Sequence, residues 1–282
     1  MAHDRINFEN LISEQEKTKN EFINRAHKEA LRFEKIRKAG GEKELIQKEF
    51  SELIESEKEK LKEFFGYEIE IAPLPAEITE QRYIEWKKMG FELHYLPKER
   101  LAKERDLPGW REKPHNLFQY IEERKVDAEA LELPGQWILI DEHEKPDYDN
   151  GNQMYENDPL AEGVKELRER KILSDYKISG SRFFISSEDL RKDEVRQVFA
   201  SVLKVNPEKI RLPRAIEFNF LGNAHYSEWG DTNTWESFAD RYADGSRLHG
   251  GNKDRGGLSD INHLSLSDDR RPPGGFRLLV SF

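Results

Sequence analysis

The chain has 282 residues, enough for two domains or for one large domain with an extension. Its acidic balance, 46 Lys and Arg against 56 Asp and Glu, argues against a general binder of nucleic acids or anionic membranes. Because the sequence contains no cysteine, a disulfide framework, a thiol nucleophile and a cysteine-ligated metal site are all excluded.

The first ten residues are polar and charged and lack the apolar core of a signal peptide. No run of about 18 apolar residues occurs anywhere in the sequence, so no membrane span is expected. We therefore expect a soluble protein of a reducing compartment, cytoplasmic by default. Export by a route that needs no N-terminal signal stays open.

Residues 4–65 have the apolar spacing of helices, interrupted at Gly40 and Gly41. Acidic and basic residues are nearly equal in number over residues 1–65, which is typical of solvent-exposed helix surfaces that form many ion pairs. The pattern predicts a helical hairpin or coiled coil over 1–65. Such an element is expected to join copies of the chain into a homo-oligomer.

Residues 66–133 give shorter and mixed signals, which predict a small α/β connector domain. Alternation over 67–71 predicts a strand, residues 78–89 a helix closed by Gly90, and residues 91–95 a second strand. No motif in this segment points to a chemical activity.

The pattern changes from residue 134 onward. We expect strands over 137–140 and 182–185, and helices over 162–170 and 187–204, the latter with Ser187 as its N-cap. Residues 222–275 have few regular elements and are expected to form a loop-rich region held by buried aromatic anchors. The third predicted domain is therefore 134–282, and the predicted fold class is α+β.

Four motifs follow one another in this third domain. They are Arg211-Leu212-Pro213 with Glu217-Phe218, then Glu228-Trp229 and Trp235, then Arg247-Leu248-His249-Gly250-Gly251, and finally Gly275-Phe276-Arg277. Their order resembles the formylglycine-generating-enzyme type of the C-type lectin fold. The resemblance covers about half of the chain and implies a C-type lectin fold domain over 134–282.

Within that fold, the chain is most similar to variable proteins diversified by diversity-generating retroelements of candidate-phyla bacteria. In these proteins adenine-directed mutagenesis rewrites codons near the C-terminus, here expected over about 248–275. The resemblance implies a ligand-binding variable face made of Asn252, Lys253, Asp254, Arg255, Asp260, Asn262, His263, Leu264, Ser265, Ser267, Asp268, Asp269, Arg270, Arg271, Pro272 and Pro273. It implies a scaffold that includes Arg211, Trp229, Trp235, Arg247, Gly250, Gly251, Gly256, Gly257, Phe276 and Arg277.

The same resemblance has two departures that bear on activity. Oxygenases of the formylglycine-generating type need catalytic cysteines, which this chain lacks. Related sulfoxide synthases bind iron with three histidines, and His3 and His27 do not have the spacing of such a triad. We therefore expect a non-enzymatic protein without a cofactor, whose ligand is a macromolecule, with protein as the favoured class.

Four alternatives stay open. The polar run can be an ordinary surface loop. The chain can be a structural or phage-derived assembly protein whose C-terminal domain only packs against neighbours. Asp147 and Asp149 have the spacing of a calcium loop, although a solvated turn is the simpler interpretation. A metal-dependent enzyme on the same scaffold would use His225, Glu228 and Asp231.

The scaffold and the variable face are expected to respond differently to substitution. Arg247 and Arg277 are predicted to satisfy several backbone carbonyls, so Arg277→Ala is expected to cost roughly 1–3 kcal/mol. Substitution of Asn262 or Asp269 is expected to stay within about 0.5 kcal/mol.

Overall fold

The computed structural model describes residues 41–263 and 270–282. The first arm of the predicted hairpin lies outside the described residues. The same is true of five residues of the predicted face, Leu264, Ser265, Ser267, Asp268 and Asp269. The chain divides into two compact units, Met1–Ser51 and Glu52–Phe282. The first is described only over 41–51, where a long helix starts; the second contains everything discussed below.

The described chain is a mixed α/β structure with six α-helices and two small sheets. The helices are α1 (Glu42–Phe65), α2 (Glu80–Lys88), α3 (His115–Glu122), α4 (Ala161–Glu169), α5 (Asp193–Leu203) and α6 (Ala215–Ala224). The strands are β1 (Phe91–Leu96), β2 (Gln136–Asp141), β3 (Ile210–Arg211), β4 (Trp235–Arg241), β5 (Arg247–Gly250), β6 (Ile261–His263), β7 (Gly274–Gly275) and β8 (Leu279–Ser281). Among these residues, none of the helices combines the length and apolar character that crossing a bilayer requires.

The first sheet has the strand order β1-β2-β8-β3, with every neighbouring pair antiparallel. The second has the order β6-β5-β4-β7, in which only the β4–β7 pair is parallel. Strand β8 thus lies between β2 and β3, and both of these strands come much earlier in the sequence than β8. Leu279 and Val280 of β8 are fully buried.

The predicted connector does not form a unit of its own. Strand β1 pairs with β2 along its whole length, from Phe91 opposite Asp141 to Leu96 opposite Gln136. The predicted boundary at residue 133 therefore falls inside one compact unit, Glu52–Phe282.

Several predicted elements are confirmed at their positions, namely α2, β1, β2 and α4. The strand predicted over 67–71 is absent, because these largely exposed residues do not pair with any strand of the described chain. The strand predicted over 182–185 is also absent, since Phe184 has a positive φ of 61°.

The helix predicted to start at Ser187 starts later. A short 3-10 turn, Asp189–Arg191, comes first, and the extended backbone of Lys192 separates it from α5. Ser187 is therefore not the N-cap of α5; Lys192 occupies that position without a side-chain capping bond.

Helix α6 lies at the centre of the core. All of its residues except the last, Ala224, are buried, and Ile216, Phe218, Phe220 and Leu221 are fully so. A helix that is buried on every side must be fixed at its ends by polar contacts, because no solvated face orients it. The motif residues before it supply those contacts.

Candidate functional site

The Arg-Leu-Pro motif and the glutamate that follows it fix the start of α6. Arg211 donates from its two Nη atoms to both carboxylate oxygens of Glu217, at 2.6 and 2.8 Å. Glu217 also accepts the backbone N–H of Arg214 at 2.8 Å, which caps the helix. Arg211 Nε donates to Ser281 Oγ at 2.9 Å, so the same guanidinium connects α6 to β8.

Arg277 is completely buried and joins several parts of the chain. Its Nε and Nη2 atoms donate to the two carboxylate oxygens of Glu236 at 3.1 and 2.8 Å. Its Nη1 donates to the carbonyls of Asp141 and His143, contacts of the kind expected from the sequence. The guanidinium lies 3.9 Å from the centre of the buried Trp229 ring.

A second buried arginine lies beside the first. Arg182 binds Asp158 through Nε and Nη2, both at 2.7 Å, and contacts Asp141 through Nη1. Burial alone would raise the pKa of Asp141, but the charge on Arg182 outweighs it and holds that pKa below its usual range. Arg182 therefore joins the end of β2 to the segment around Asp158, and Arg277 joins the C-terminal segment to β4 and to the end of β2.

The Gly-Gly turn after β5 is closely packed on its neighbours. A Cβ on Gly250 would lie 1.8 Å from the carbonyl oxygen of Asp260, so this position accommodates only glycine. Gly251 has a φ of +86°, and its carbonyl accepts the buried Lys145 Nζ at 2.6 Å. Lys145 also donates to Thr234 O at 2.9 Å, which holds the turn against the chain before β4.

Two residues of the predicted face lie inside the domain instead. Asn252 accepts the backbone N–H of Asp254 at 2.9 Å and donates to the carbonyl of Asn233. Asp260 accepts the backbone N–H of Asn252 at 3.1 Å. Both are buried, because short side chains in this turn satisfy backbone groups that water cannot reach. They therefore belong with the supporting frame.

Three residues that follow Asn252 directly are exposed to solvent. Lys253, Asp254 and Arg255 form an exposed 3-10 turn. On β6, Asn262 and His263 are half-buried, and the His263 ring stacks on Tyr242 with centroids 3.7 Å apart.

The remaining described residues of the predicted face follow the gap at 264–269. Pro272 is exposed, and Arg270, Arg271 and Pro273 are half-buried. Of the predicted scaffold, Arg247 and Phe276 are buried, Trp235 is half-buried, and Gly256 and Gly257 have positive φ.

The two alternative metal-binding sets considered from the sequence are not found as groups of three ligands among the described residues. The Asp147 carboxylate accepts the Asn233 N–H at 2.8 Å and pairs with Lys253 at 3.2 Å, and Asp149 is exposed. Over the described ranges, no group of three ligands includes either aspartate.

His225 also lies elsewhere than predicted. It joins Glu57 and His94, not Glu228 and Asp231, in a cluster whose ligand atoms are all within 4.8 Å of one another. We refer to Glu57, His94 and His225 as the His-Glu cluster.

Three elements position the His-Glu cluster. Glu57 comes from α1, His94 from β1, and His225 is the C-cap of α6. Glu57 Oε1 lies 2.8 Å from His94 Nδ1, and Glu57 Oε2 accepts the backbone N–H of Tyr95 at 3.0 Å. The two imidazole rings have centroids 4.0 Å apart.

The two histidines of the His-Glu cluster differ in their pKa values. Burial and then the positive charge on His94 lower the pKa of His225 to about 3, so its ring is neutral near pH 7. Burial alone would lower the pKa of His94 as well, but the Glu57 carboxylate, followed by Glu92, raises it to about 9. His94 therefore carries the proton that lies between two carboxylates.

A buried polar chain continues outward from His94. His94 Nε2 lies 2.6 Å from Tyr226 Oη, and this hydroxyl also donates to Glu92. Lys87 pairs with Glu92 and lies 3.6 Å from Glu142. Burial, and then the negative charge on Glu92, raise the pKa of Glu142 to about 7.

The raised pKa of Glu142 predicts a pH dependence. The folded protein keeps this proton between pH 4.5 and 7, where the unfolded chain releases it, so the free energy of unfolding falls as pH rises through that window. Glu142→Gln removes the fall and is expected to be more stable than the parent by about 1–2 kcal/mol at pH 8, with no difference at pH 4.

Urea unfolding at several pH values measures this difference. The exposed neighbour provides the control, because Glu144→Gln should leave the shape of the parent curve unchanged. A Glu142→Gln variant less stable than the parent at pH 8 would contradict the assignment.

The sequence contained one signal for Glu57. It occurs on α1 four residues after Leu53 and four before Leu61, both buried, so a carboxylate interrupts an apolar stripe. His94 occupies an inward position of a strand in the same way. Their meeting with His225 depends on tertiary packing across 37 and 131 residues, which no local pattern encodes.

Comparison of the chain with family models, with curated proteins and with solved structures found no match.

Proposed function

We propose that this protein is a non-enzymatic ligand-binding protein that displays a variable, retroelement-diversified face on a C-type lectin fold of the formylglycine-generating-enzyme type. The observation that carries the proposal is the contrast within a few residues of the Gly-Gly turn. Gly250, Gly251, Asn252 and Asp260 are buried, whereas the turn Lys253–Arg255 between them is exposed.

This contrast allows sequence change without loss of the fold. Substitutions of exposed side chains usually change stability by no more than about 0.5 kcal/mol. The backbone that carries the turn is held separately, by Asn252, Asp260 and the ammonium of Lys145. Side chains at 253–255 can therefore be exchanged while their positions in space are kept.

The composition of the face favours a macromolecular ligand. Lys253, Asp254 and Arg255 offer both signs of charge on an exposed turn, and the Arg255 guanidinium lies 6.0 Å from the centre of the half-buried Trp235 ring. Such a surface suits a polar protein partner better than a small molecule, which needs a concave site. Oligomerisation through the N-terminal helices would add avidity to weak single-site binding.

Sequencing the locus in many cells of one population tests the proposal. We expect amino-acid differences to concentrate at the exposed positions of 253–273, in codons derived from adenine-rich templates. Among clones that yield folded protein, Asn252 and Asp260 should stay constant. Uniform sequences, or differences spread evenly over the gene, would contradict the proposal and favour an assembly protein.

A pair of variants tests the frame directly. Replacing Lys253, Asp254 and Arg255 together by alanine should change the free energy of unfolding by less than about 1 kcal/mol, because the ion pair lost within the described part of the chain, Lys253 with Asp147, is exposed. Asn252→Ala should cost about 1–3 kcal/mol, since it removes a buried amide that accepts from the Asp254 N–H and donates to the carbonyl of Asn233. Chemical denaturation measures both; equal losses would remove the distinction between frame and face.

A further inference from the structure

The His-Glu cluster is not used by the proposed binding face, and its donor set is unusual for a purely structural network. It combines two imidazoles and one carboxylate, all at least half-buried, from three elements that are distant in sequence. Over the described ranges it is the only group of three His, Asp or Glu residues arranged closely enough to hold a metal ion.

We propose that Glu57, His94 and His225 bind one divalent first-row transition-metal ion. Two imidazole nitrogens and one carboxylate oxygen form the set that zinc, cobalt and ferrous iron share in proteins, with at least one further position left for water or another ligand. Calcium and magnesium prefer oxygen ligands and are not expected to compete.

The first support is a donor atom without a partner. His225 Nε2 is buried and makes no hydrogen bond with any described residue. A buried polar nitrogen that is left unpaired costs about 1–3 kcal/mol, so its retention in the core needs a reason. A metal ion in the cluster supplies that reason, because it binds a neutral imidazole through its lone pair.

The second support is the way the other two donors are held. Glu57 Oε2 is bound by the Tyr95 N–H, which leaves Oε1 directed at His94 Nδ1. His94 Nε2 is bound by the Tyr226 hydroxyl, which leaves Nδ1 as the ring atom available to the cluster. Outer partners of this kind orient histidine and carboxylate ligands around metals.

The distances need only small adjustments. Ligand atoms at 2.0–2.2 Å from a tetrahedral ion lie about 3.4 Å apart. Glu57 Oε1 and His94 Nδ1 are 2.8 Å apart and must separate slightly as the ion replaces the proton between them. The His225 ligand atom, within 4.8 Å of the other two, must move inward by about 1 Å, which is feasible for a half-buried ring at the end of a helix.

Cobalt(II) provides a direct test, because its visible absorption reports the ligands around it. The full-length protein, treated with a chelator and then titrated with Co²⁺, should bind one ion in the cluster and give a ligand-field spectrum. His225→Ala should weaken this binding about 100-fold, and Tyr226→Phe, which removes an outer partner, about 10-fold. The exposed His115 is the matched control, so His115→Ala should bind like the parent.

The absence of cysteine in this chain allows a sharper version. His225→Cys introduces the single thiol of the protein, and a thiolate bound to Co²⁺ gives an intense sulfur-to-metal charge-transfer band. We expect the band in His225→Cys and not in His115→Cys under the same reducing conditions. Parent protein that binds no Co²⁺, His225→Ala that binds it as tightly as the parent, or equal bands in the two cysteine variants would each overturn the proposal.

Discussion

Arg277→Ala is expected to lower the free energy of unfolding by about 3–5 kcal/mol. Removing the guanidinium leaves the fully buried Glu236 carboxylate without the positive charge paired with it, with only the Tyr155 hydroxyl still donating to it, and takes a donor from the carbonyls of Asp141 and His143. The expected loss exceeds the 1–3 kcal/mol predicted from sequence, because the sequence indicated neutral carbonyl acceptors and not a buried carboxylate. Chemical denaturation followed by tryptophan fluorescence measures it.

Two further variants distinguish the effect of the positive charge at position 277 from the effect of losing any arginine. Arg277→Lys keeps the positive charge but not the forked donor geometry, so it should fall between the parent and Arg277→Ala. Arg255→Ala removes an exposed arginine, 6.0 Å from the Trp235 ring, and should cost no more than about 0.5 kcal/mol. If Arg277→Ala and Arg255→Ala lose similar stability, Arg277 does not anchor the fold.

Gly250→Ala is expected to cost more than about 3 kcal/mol or to prevent folding. The new methyl would lie 1.8 Å from the carbonyl oxygen of Asp260 and 2.9 Å from its carbon, both backbone atoms that cannot rotate away. Relief would require β5 and β6 to separate where Gly250 pairs with Ile261. The melting temperature and the yield of folded protein report the effect.

Gly245→Ala is the matched control for this substitution. Gly245 has a φ of +86°, but an added Cβ would meet no atom within 4 Å. Its replacement should cost only the strain of a left-handed alanine, about 1–2 kcal/mol. A Gly250→Ala variant that melts at or above the temperature of Gly245→Ala would show that the turn adjusts freely.

Local pattern was sufficient for elements that bury one face and end at clear breaks. Helix α2 begins after its N-cap Thr79 and is followed by Gly90 at a φ of +73°. Strand β1 alternates between apolar and polar residues at its start, and β2 has a short apolar run. Pattern failed over 67–71, where the residues alternate but do not pair with any strand of residues 41–263 and 270–282. It failed again at Phe184, whose left-handed backbone is imposed by tertiary packing.

The candidate sites were likewise predicted from the sequence only in part. The exposed turn Lys253–Arg255 was predicted because its glycine frame is local in sequence. The burial of Asn252 and Asp260 was not, since polarity alone does not distinguish a side chain facing water from one satisfying a backbone amide. The His-Glu cluster was missed because its three members meet only after α1, β1 and α6 have packed.

If the gene is diversified as proposed above, the position of β8 between β2 and β3 limits which copies of the gene encode a folded protein. A shift of reading frame anywhere in the polar run replaces Arg277 and all of β8, so the first sheet loses an inner strand and its order β1-β2-β8-β3 cannot form. Translation errors and faulty retroelement copies would then give polypeptides that cells degrade. Only protein encoded by in-frame copies would fold and accumulate, so the requirement for folding would remove the products of frame-shifted copies.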